Sequence, residues 1–302
     1  MTPITRRTLL TASAAAAATA LTSRNAQARP TARALPKPTG QGRKGHQKAL
    51  KIGMIQPGGT VEEKFAVAKE CGFDGVEINS PSKLSNEQVA AASRATGIAV
   101  PGVVDSVHWQ KPLSHPDKAV RQEGEQALRG AIRDAAAVGA TSVLLVPAVV
   151  NKQVFYQDAW ERSQAHIRAV LPMAGEHGIQ ILIENVWNGF LLGPTELRRY
   201  VDEFDSEWVG VHFDPGNLVR FGHPEQWVPI LGDRIKKMDV KDFNRRQNSF
   251  NVKLTEGDTD WPAVMKQLDA IGYQGWFTAE MGGGDATYLR DLAQRMDSFL
   301  NP

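Results

Sequence analysis

The chain has 302 residues, 42% hydrophobic and 23% charged, the composition of a globular protein long enough for one large domain or two small ones. A single cysteine, Cys71, excludes an internal disulfide framework and a cysteine-rich zinc site; it fits a small buried apolar group near a helix end. Nine of the 35 Lys/Arg and none of the 33 Asp/Glu fall in residues 1–49, which leaves 26 basic against 33 acidic side chains and a net charge of −7 over residues 50–302. That acidic body speaks against a nucleic-acid partner.

The first element in chain order is not part of a fold. TRRTLL (Thr5 to Leu10) is a twin-arginine pattern, the apolar run LLTASAAAAATAL follows it, and Ala26-Gln27-Ala28 offers a small-x-small cleavage site. Residues 1–28 therefore read as a Tat-type signal peptide, and the protein as exported and periplasmic. The run is too short and alanine-rich for a spanning helix, so no stable membrane insertion is expected after cleavage. Residues 29–48, rich in Pro, Gly, Lys and Arg, read as a disordered linker, and the folded domain is expected over 49–302.

From Leu50 a unit recurs: a helical stretch, a glycine-containing turn, then a short apolar run. It stands at CGFDGVEI (71–78), TGIAVPGVV (96–104), VGATSVLLV (138–146), HGIQILIE (177–184) and IGYQGWFTAE (271–280). Each glycine fits a helix C-terminal cap, and each run suits a buried strand. LKIGMIQ (50–56), WVGVHFD (208–214) and RIKKMDVKD (234–242) bring the strands to eight. Helical patterns span 60–70, 85–96, 117–138, 154–176, 194–204, 224–232, 260–270 and 285–300. Eight alternating βα units over about 250 residues predict an α/β fold, a parallel (β/α)8 TIM barrel. An open doubly wound sheet would advertise a GxGxxG loop after its first strand; QPGGT (56–60) lacks that spacing.

Barrel chemistry sits at the C-terminal ends of the strands, and those positions hold Glu77, His108, Glu184, Asp214, Asp239 and Glu280. A single acid closing a strand is usually a helix cap or loop contact. Four successive ones, in LIEN, HFDPGN, KMDVKD and FTAEMGG, would repel one another without a cation, and convergent oxygens are what a hard divalent metal takes. His212, two residues before Asp214, is read as a satisfied core histidine. Asn185 and Trp187 in ENVWNG and Asn217 in DPGN suit contacts to a sugar's hydroxyls and ring. His108 is placed in a substrate wall with Trp109. Lys241 and Arg245 are expected to offset the negative charge, and Glu256 lies in a long polar loop, 241–259, of the kind that is often functional.

GFDGVEI, ILIEN, HFDPGN, RIKKMDVKDF, EGDTDW and GYQGWFTAE, in this order, resemble the xylose-isomerase-like TIM-barrel superfamily of sugar isomerases and epimerases, over Leu50 to the C-terminus. The resemblance implies one divalent metal ion held by Glu184, Asp214, Asp239 and Glu280, with the two glutamates as acid/base pair. Two positions depart from it: Asp239 stands where a histidine is usual, and Asn217 where several members place a substrate-contacting histidine. A wholly carboxylate set favours Mn or Mg over later transition metals.

The implied chemistry is proton abstraction next to a carbonyl through a metal-stabilised enediolate. A small-molecule sugar or keto-sugar is the expected partner, and export favours a neutral one; the oligomeric state is left open. Two alternatives stand beside an isomerase or epimerase: a lyase or hydrolase of 3-keto-glycosides on the same site, and a sugar-binding barrel without turnover.

Overall fold

Short apolar strands alternating with amphipathic helices leave each element one face to bury, and a closed barrel jacketed by helices buries all of them. The computed structural model describes residues 45–301; the signal peptide and the linker as far as residue 44 lie outside the described residues. Eight parallel strands close in chain order. They are β1 (Gln47–Lys51), β2 (Gly75–Ser80), β3 (Val103–Asp105), β4 (Ser142–Leu145), β5 (Gln180–Glu184), β6 (Val209–Phe213), β7 (Ile235–Val240) and β8 (Trp276–Ala279). The helices are α1 (Val61–Glu70), α2 (Asn86–Thr96), α3 (Lys118–Val138), α4 (Tyr156–His177), α5 (Pro194–Asp202), a single turn α6 (Gly216–Val219), α7 (Pro224–Leu231), α8 (Trp261–Ala270) and α9 (Ala286–Leu300). The predicted TIM barrel is the fold observed.

Local chemistry sets the ends of these elements. Thr60 and Glu63 form a reciprocal capping box at the start of α1, and Ser85 with Gln88 does the same for α2, each cap being worth about 1 kcal/mol. Helices α2, α3 and α4 stop at Gly97, Gly139 and Gly178, all in the left-handed region that glycine reaches without a Cβ clash. Cys71 is a buried free thiol at the end of α1. Leu128, Ala131, Ile132 and Ala135 recur at helical spacing on α3 and are fully buried, in the same core as Val143 and Leu145 from the outer face of β4. Among the described residues no helix is long and apolar enough to cross a membrane.

The first strand departs from expectation. It runs over 47–51, not 50–56, and Ile52–Met54 form a 3-10 turn instead. The barrel domain thus starts at least two residues before the expected boundary, within what reads as linker. Its polar residues hide it: Gln47 and Lys48 are buried, and the Lys48 ammonium reaches out to Asp297 at 2.8 Å. Burial of this kind needs a partner, and the partner lies 249 residues away in sequence.

The barrel lumen is also unusual for being polar, where branched aliphatic side chains are the norm. Gln47, Glu77, Ser142, His212, Lys237, Asp239 and Thr278 are all buried. Gly102 makes room for part of this set, since a Cβ there would lie 2.5 Å from Lys237 Nζ and 2.6 Å from Glu77 Oε1. A register shift between β6 and β7 leaves Lys236 unpaired and sets Lys237 opposite His212, so that Lys237, Asp239 and Lys241 share the inward face.

Candidate metal and substrate site

Strand alternation puts Met238 and Val240 in the apolar core and turns Asp239 inward. There it meets Glu184 at the end of β5, Asp214 just after β6 and Glu280 just after β8. One carboxylate oxygen from each of the four lies within 4.8 Å of the others. Opposite ligands on an ion with metal–oxygen bonds of about 2.1–2.4 Å are separated by up to about 4.8 Å, so the spacing fits one hard cation. The orphaned Asp239 Oδ2, buried without a hydrogen-bond partner, fits the same reading. Four oxygens suit Mg, Mn or Ca.

Asparagines fix two of these acids. Asn185 grips the Asp214 backbone from both sides, accepting from its N–H at 2.9 Å and donating to its carbonyl at 2.7 Å. Asn217 donates its backbone N–H to Asp214 Oδ1 at 3.0 Å and its amide to Asp214 Oδ2 at 2.8 Å, with a longer contact to Glu184 Oε1 at 3.4 Å. Both were expected against a sugar; Asn185 braces the Asp214 backbone, and Asn217 braces the Asp214 carboxylate while also lining the mouth. Trp187 donates its indole N–H to the Asn217 carbonyl at 2.6 Å, and its ring stands at the cavity wall beside Phe250.

Two lysines answer the charge. Lys241 Nζ lies 2.7 Å from Asp214 Oδ2 and 2.7 Å from Glu280 Oε2. Gly216 permits this approach, because a Cβ there would stand 2.6 Å from Lys241 Cγ. Lys51, at the end of β1, lies 2.5 Å from Glu77 Oε2, 3.3 Å from Asp239 Oδ1 and 3.8 Å from Glu280 Oε1. Burial disfavours both ammonium charges, but the surrounding carboxylates outweigh it and hold both lysines above their ordinary range. Sequence reasoning missed Lys51, because the strand that delivers it was placed three residues too late.

The acids do not titrate alike. Burial, then the charges of Glu280 and Asp239, pushes the Glu184 carboxyl well above the usual range. Burial likewise lifts Asp214 to about 6, against the pull of Lys241. Asp239 is buried as deeply, yet Lys51 and then His212 outweigh that burial and hold it below the usual range. His212 is wholly buried, with Nε2 3.0 Å from Asp239 Oδ1. The approach is too oblique for a formed hydrogen bond, and neither ring nitrogen has a well-aligned partner. It is a core histidine as expected, but not a satisfied one.

Three other candidate site residues lie outside the acid cluster. Glu77 sits within β2, not at its end, because that strand runs on to Ser80; its carboxylate is buried under the site, paired with Lys51 and held below its usual range by that charge against the effect of burial. Arg245 donates to the carbonyls of Val219 and Gly222 at 2.7 and 2.8 Å, bracing the preceding loop. Glu256 is exposed and pairs with Arg295 of α9 at 2.9 Å. The long loop owes its order to Asp242, whose carboxylate accepts from the N–H groups of Phe243, Thr255, Gly257 and Thr259.

His108 does line the mouth, in a cavity of about 410 Å³ with Glu184, Trp187, Asn217, Lys241, Phe250 and Glu280, within the size range of small-ligand sites. Its Nδ1 accepts from the Val146 N–H at 3.2 Å, which leaves the proton on Nε2. Burial, then the nearby Lys51 charge, lowers its pKa to about 4, so the ring is neutral at pH 7.

Residues 65–299 match the family model described as Xylose isomerase-like TIM barrel. The chain belongs to that family. The putative L-ribulose-5-phosphate 3-epimerase SgbU of Escherichia coli (strain K12) is 27% identical over 257 residues, spanning 78% of this chain and 87% of that protein. Among solved structures, an L-ribulose 3-epimerase superposes with a TM-score of 0.72 at 17% identity, covering 84% of this chain and 94% of its own. The E. coli 3-keto-D-glucoside 4-epimerase YcjR gives 0.68 at 19%, covering 83% and 98%.

Proposed function

We propose that this chain is a divalent-metal-dependent sugar epimerase or isomerase of the isomerase class, with Mn or Mg as the ion and Glu184 and Glu280 as the acid/base pair. The observation that carries the reading is the convergence of Glu184, Asp214, Asp239 and Glu280 oxygens within 4.8 Å at the mouth of the barrel. The epimerase names of its relatives support the same reaction type.

A bound dication supplies Lewis-acid stabilisation for the negative charge that develops on a carbonyl oxygen when the neighbouring C–H proton leaves. The chain's own residues do the rest. Glu280, 38% exposed and gripped by Lys241, is the accessible carboxylate and takes the proton. Glu184, buried and pushed toward its protonated form, returns one. Return to the opposite face of the same carbon epimerises it; return to the adjacent carbon isomerises aldose and ketose. The neutral His108 Nε2–H offers a hydrogen bond to a hydroxyl without adding charge, and the aromatic wall of Trp187 and Phe250 keeps water from the reacting carbon.

Export belongs to this reading as well: a twin-arginine leader delivers the protein already folded, and a periplasmic location is tested by cell fractionation. The reaction is tested by incubating keto-sugars with Mn-loaded protein in deuterated water. Deuterium is expected at the carbon next to the carbonyl, with Glu184→Gln and Glu280→Gln each slowing it by roughly 10²–10⁴-fold. Absence of wash-in across a broad panel would refute the reading.

A further inference from the structure

The metal cavity does not end at Trp187. Val186, Trp187 and Asn217 line it on one side, and the same three residues line a second groove of about 300 Å³ between the loop after β5 and the loop after β6. The indole of Trp187 is therefore a partition with the acid–base site on one side and the groove on the other. Beyond it the groove is walled by Leu191, Leu192, Leu218, Phe221 and Trp227.

Its chemistry is the reverse of its neighbour's. No charged side chain lines it. Its two polar residues are already engaged, Asn185 on the Asp214 backbone and Asn217 on the Asp214 carboxylate. Arg220 lies over the Trp187 and Phe221 rings at 4.8 and 5.2 Å but lines neither cavity. With Arg220 engaged on the Trp187 and Phe221 rings and no charged side chain lining the groove itself, an apolar ring suits the groove better than a phosphate or carboxylate.

The groove is also built at a cost. Leu191 holds a φ of +55°, a left-handed conformation that costs a non-glycine residue about 1–3 kcal/mol. Turning the chain there buries Leu191 and leaves Leu192 61% exposed at the groove's lip, opposite Phe221 at 69%. Two large apolar side chains flank an apolar slot that shares its Trp187 wall with the sugar-sized polar cavity.

We propose that this groove is a subsite for an apolar, ring-shaped substituent of the substrate, so that the chain acts on a keto-sugar bearing an apolar aglycone in glycosidic linkage. The proposal rests on the metal cavity being the sugar site, with Trp187 as the shared wall: the sugar sits on the carboxylate side, the glycosidic bond passes the indole, and the aglycone packs against Leu192 and Phe221.

The test uses the full chain loaded with Mn and two probes, the methyl and the phenyl glycoside of one hexopyranose oxidised to a ketone at a ring carbon other than the anomeric one, with affinity read by calorimetry and proton exchange by deuterium wash-in. The phenyl glycoside is expected to bind roughly ten- to hundred-fold more tightly, from the apolar area it buries. Leu192→Asp and Phe221→Ser, both at exposed positions that fold does not depend on, should each shrink that ratio several-fold. A phenyl preference without wash-in from either probe upholds the subsite and refutes the epimerase reading. Wash-in from both probes with a ratio near one overturns the subsite and leaves the reaction standing. A ratio that neither variant moves overturns it, as does a ketose phosphate that displaces the phenyl glycoside and loses affinity in Arg220→Ala. A dimer dissolved by Leu192→Asp would put a second copy of the chain in the groove, and overturns it too.

Discussion

The two halves of the barrel mouth are built from opposite materials. Strands β5 to β8 contribute Glu184, Asp214, Asp239 and Glu280, all four acids of the carboxylate cluster. Strands β1 to β4 contribute Lys51, a neutral His108, and the apolar Val104 and Leu144 of the cavity wall. The four acid oxygens thus converge from one side, together with Lys241 and the wall of Trp187 and Phe250, and the other side adds Lys51 and the His108 face. Lys51 crosses between them: it leaves the first half and reaches Asp239 and Glu280 in the second. A four-carboxylate site is tolerable because the opposite half supplies a buried cation for the acid that stands where histidine is usual.

The sharpest way to break this division is to remove an acid from β8 or a base from β1. Glu280→Gln keeps the shape and removes both a proton acceptor and an anionic ligand. Deuterium wash-in should fall by roughly 10²–10⁴-fold, and metal affinity should fall with it. Lys51→Met should act on stability first, since it leaves Glu77 and Asp239 buried without their cation. Breaking a buried pair costs about 3–5 kcal/mol, read as a lower midpoint of urea unfolding in the metal-free protein. Lys111→Met, which breaks an exposed pair with Glu123, should cost under about 1 kcal/mol.

A pH-dependent effect sharpens the first half alone. Asp105 closes β3 outside the metal cluster, and burial raises its carboxyl to about 7, with the Val107 N–H pulling the other way. A folded pKa above the unfolded value of about 3.9 means that the folded state holds this proton more tightly. Its contribution is complete below pH of about 4 and lost as pH rises through about 7, a swing on the order of 4 kcal/mol. Asp105→Asn should therefore flatten the stability profile between those pH values and be the more stable form at pH 8. Smallest of all is Glu256→Ala: its carboxylate is spent on Arg295 at the surface, so stability should move by about 0.5 kcal/mol or less and wash-in should not change.

Much of this was legible in the sequence, for identifiable reasons. The helix–glycine–strand repeat placed five strands nearly correctly and the runs at 208–214 and 234–242 two more, because strands buried on both faces read as apolar runs. Glu184, Asp214 and Glu280 were legible because each closes or directly follows such a run, whereas Asp239 lies inside β7, one residue before its end. Lys51 and the start of β1 were not: Gln47, Lys48 and Lys51 break the apolar signal, and what makes them burial-compatible is Asp297, Glu77 and Asp239, brought close only by barrel closure. Glu77 was misplaced by two or three residues of strand length. Arg245 and Glu256 lie in a loop whose path is set by Asp242 and its four N–H donors, and charge in a loop says nothing of the direction it faces. The support given to Asp214 by Asn185 and Asn217 depends on the packing of two adjacent βα loops, which residue spacing does not encode.

The account turns on Asp239 as a ligand. Titrating metal-free protein with Mn(II) and counting bound ions per chain tests this most directly, in the wild type and in Asp239→Asn. One ion per chain in the wild type, weakened at least ten-fold in the variant, is the predicted result. One ion per chain bound as tightly by Asp239→Asn would contradict it, and would leave Asp239 as no more than the anchor for Lys51 and His212.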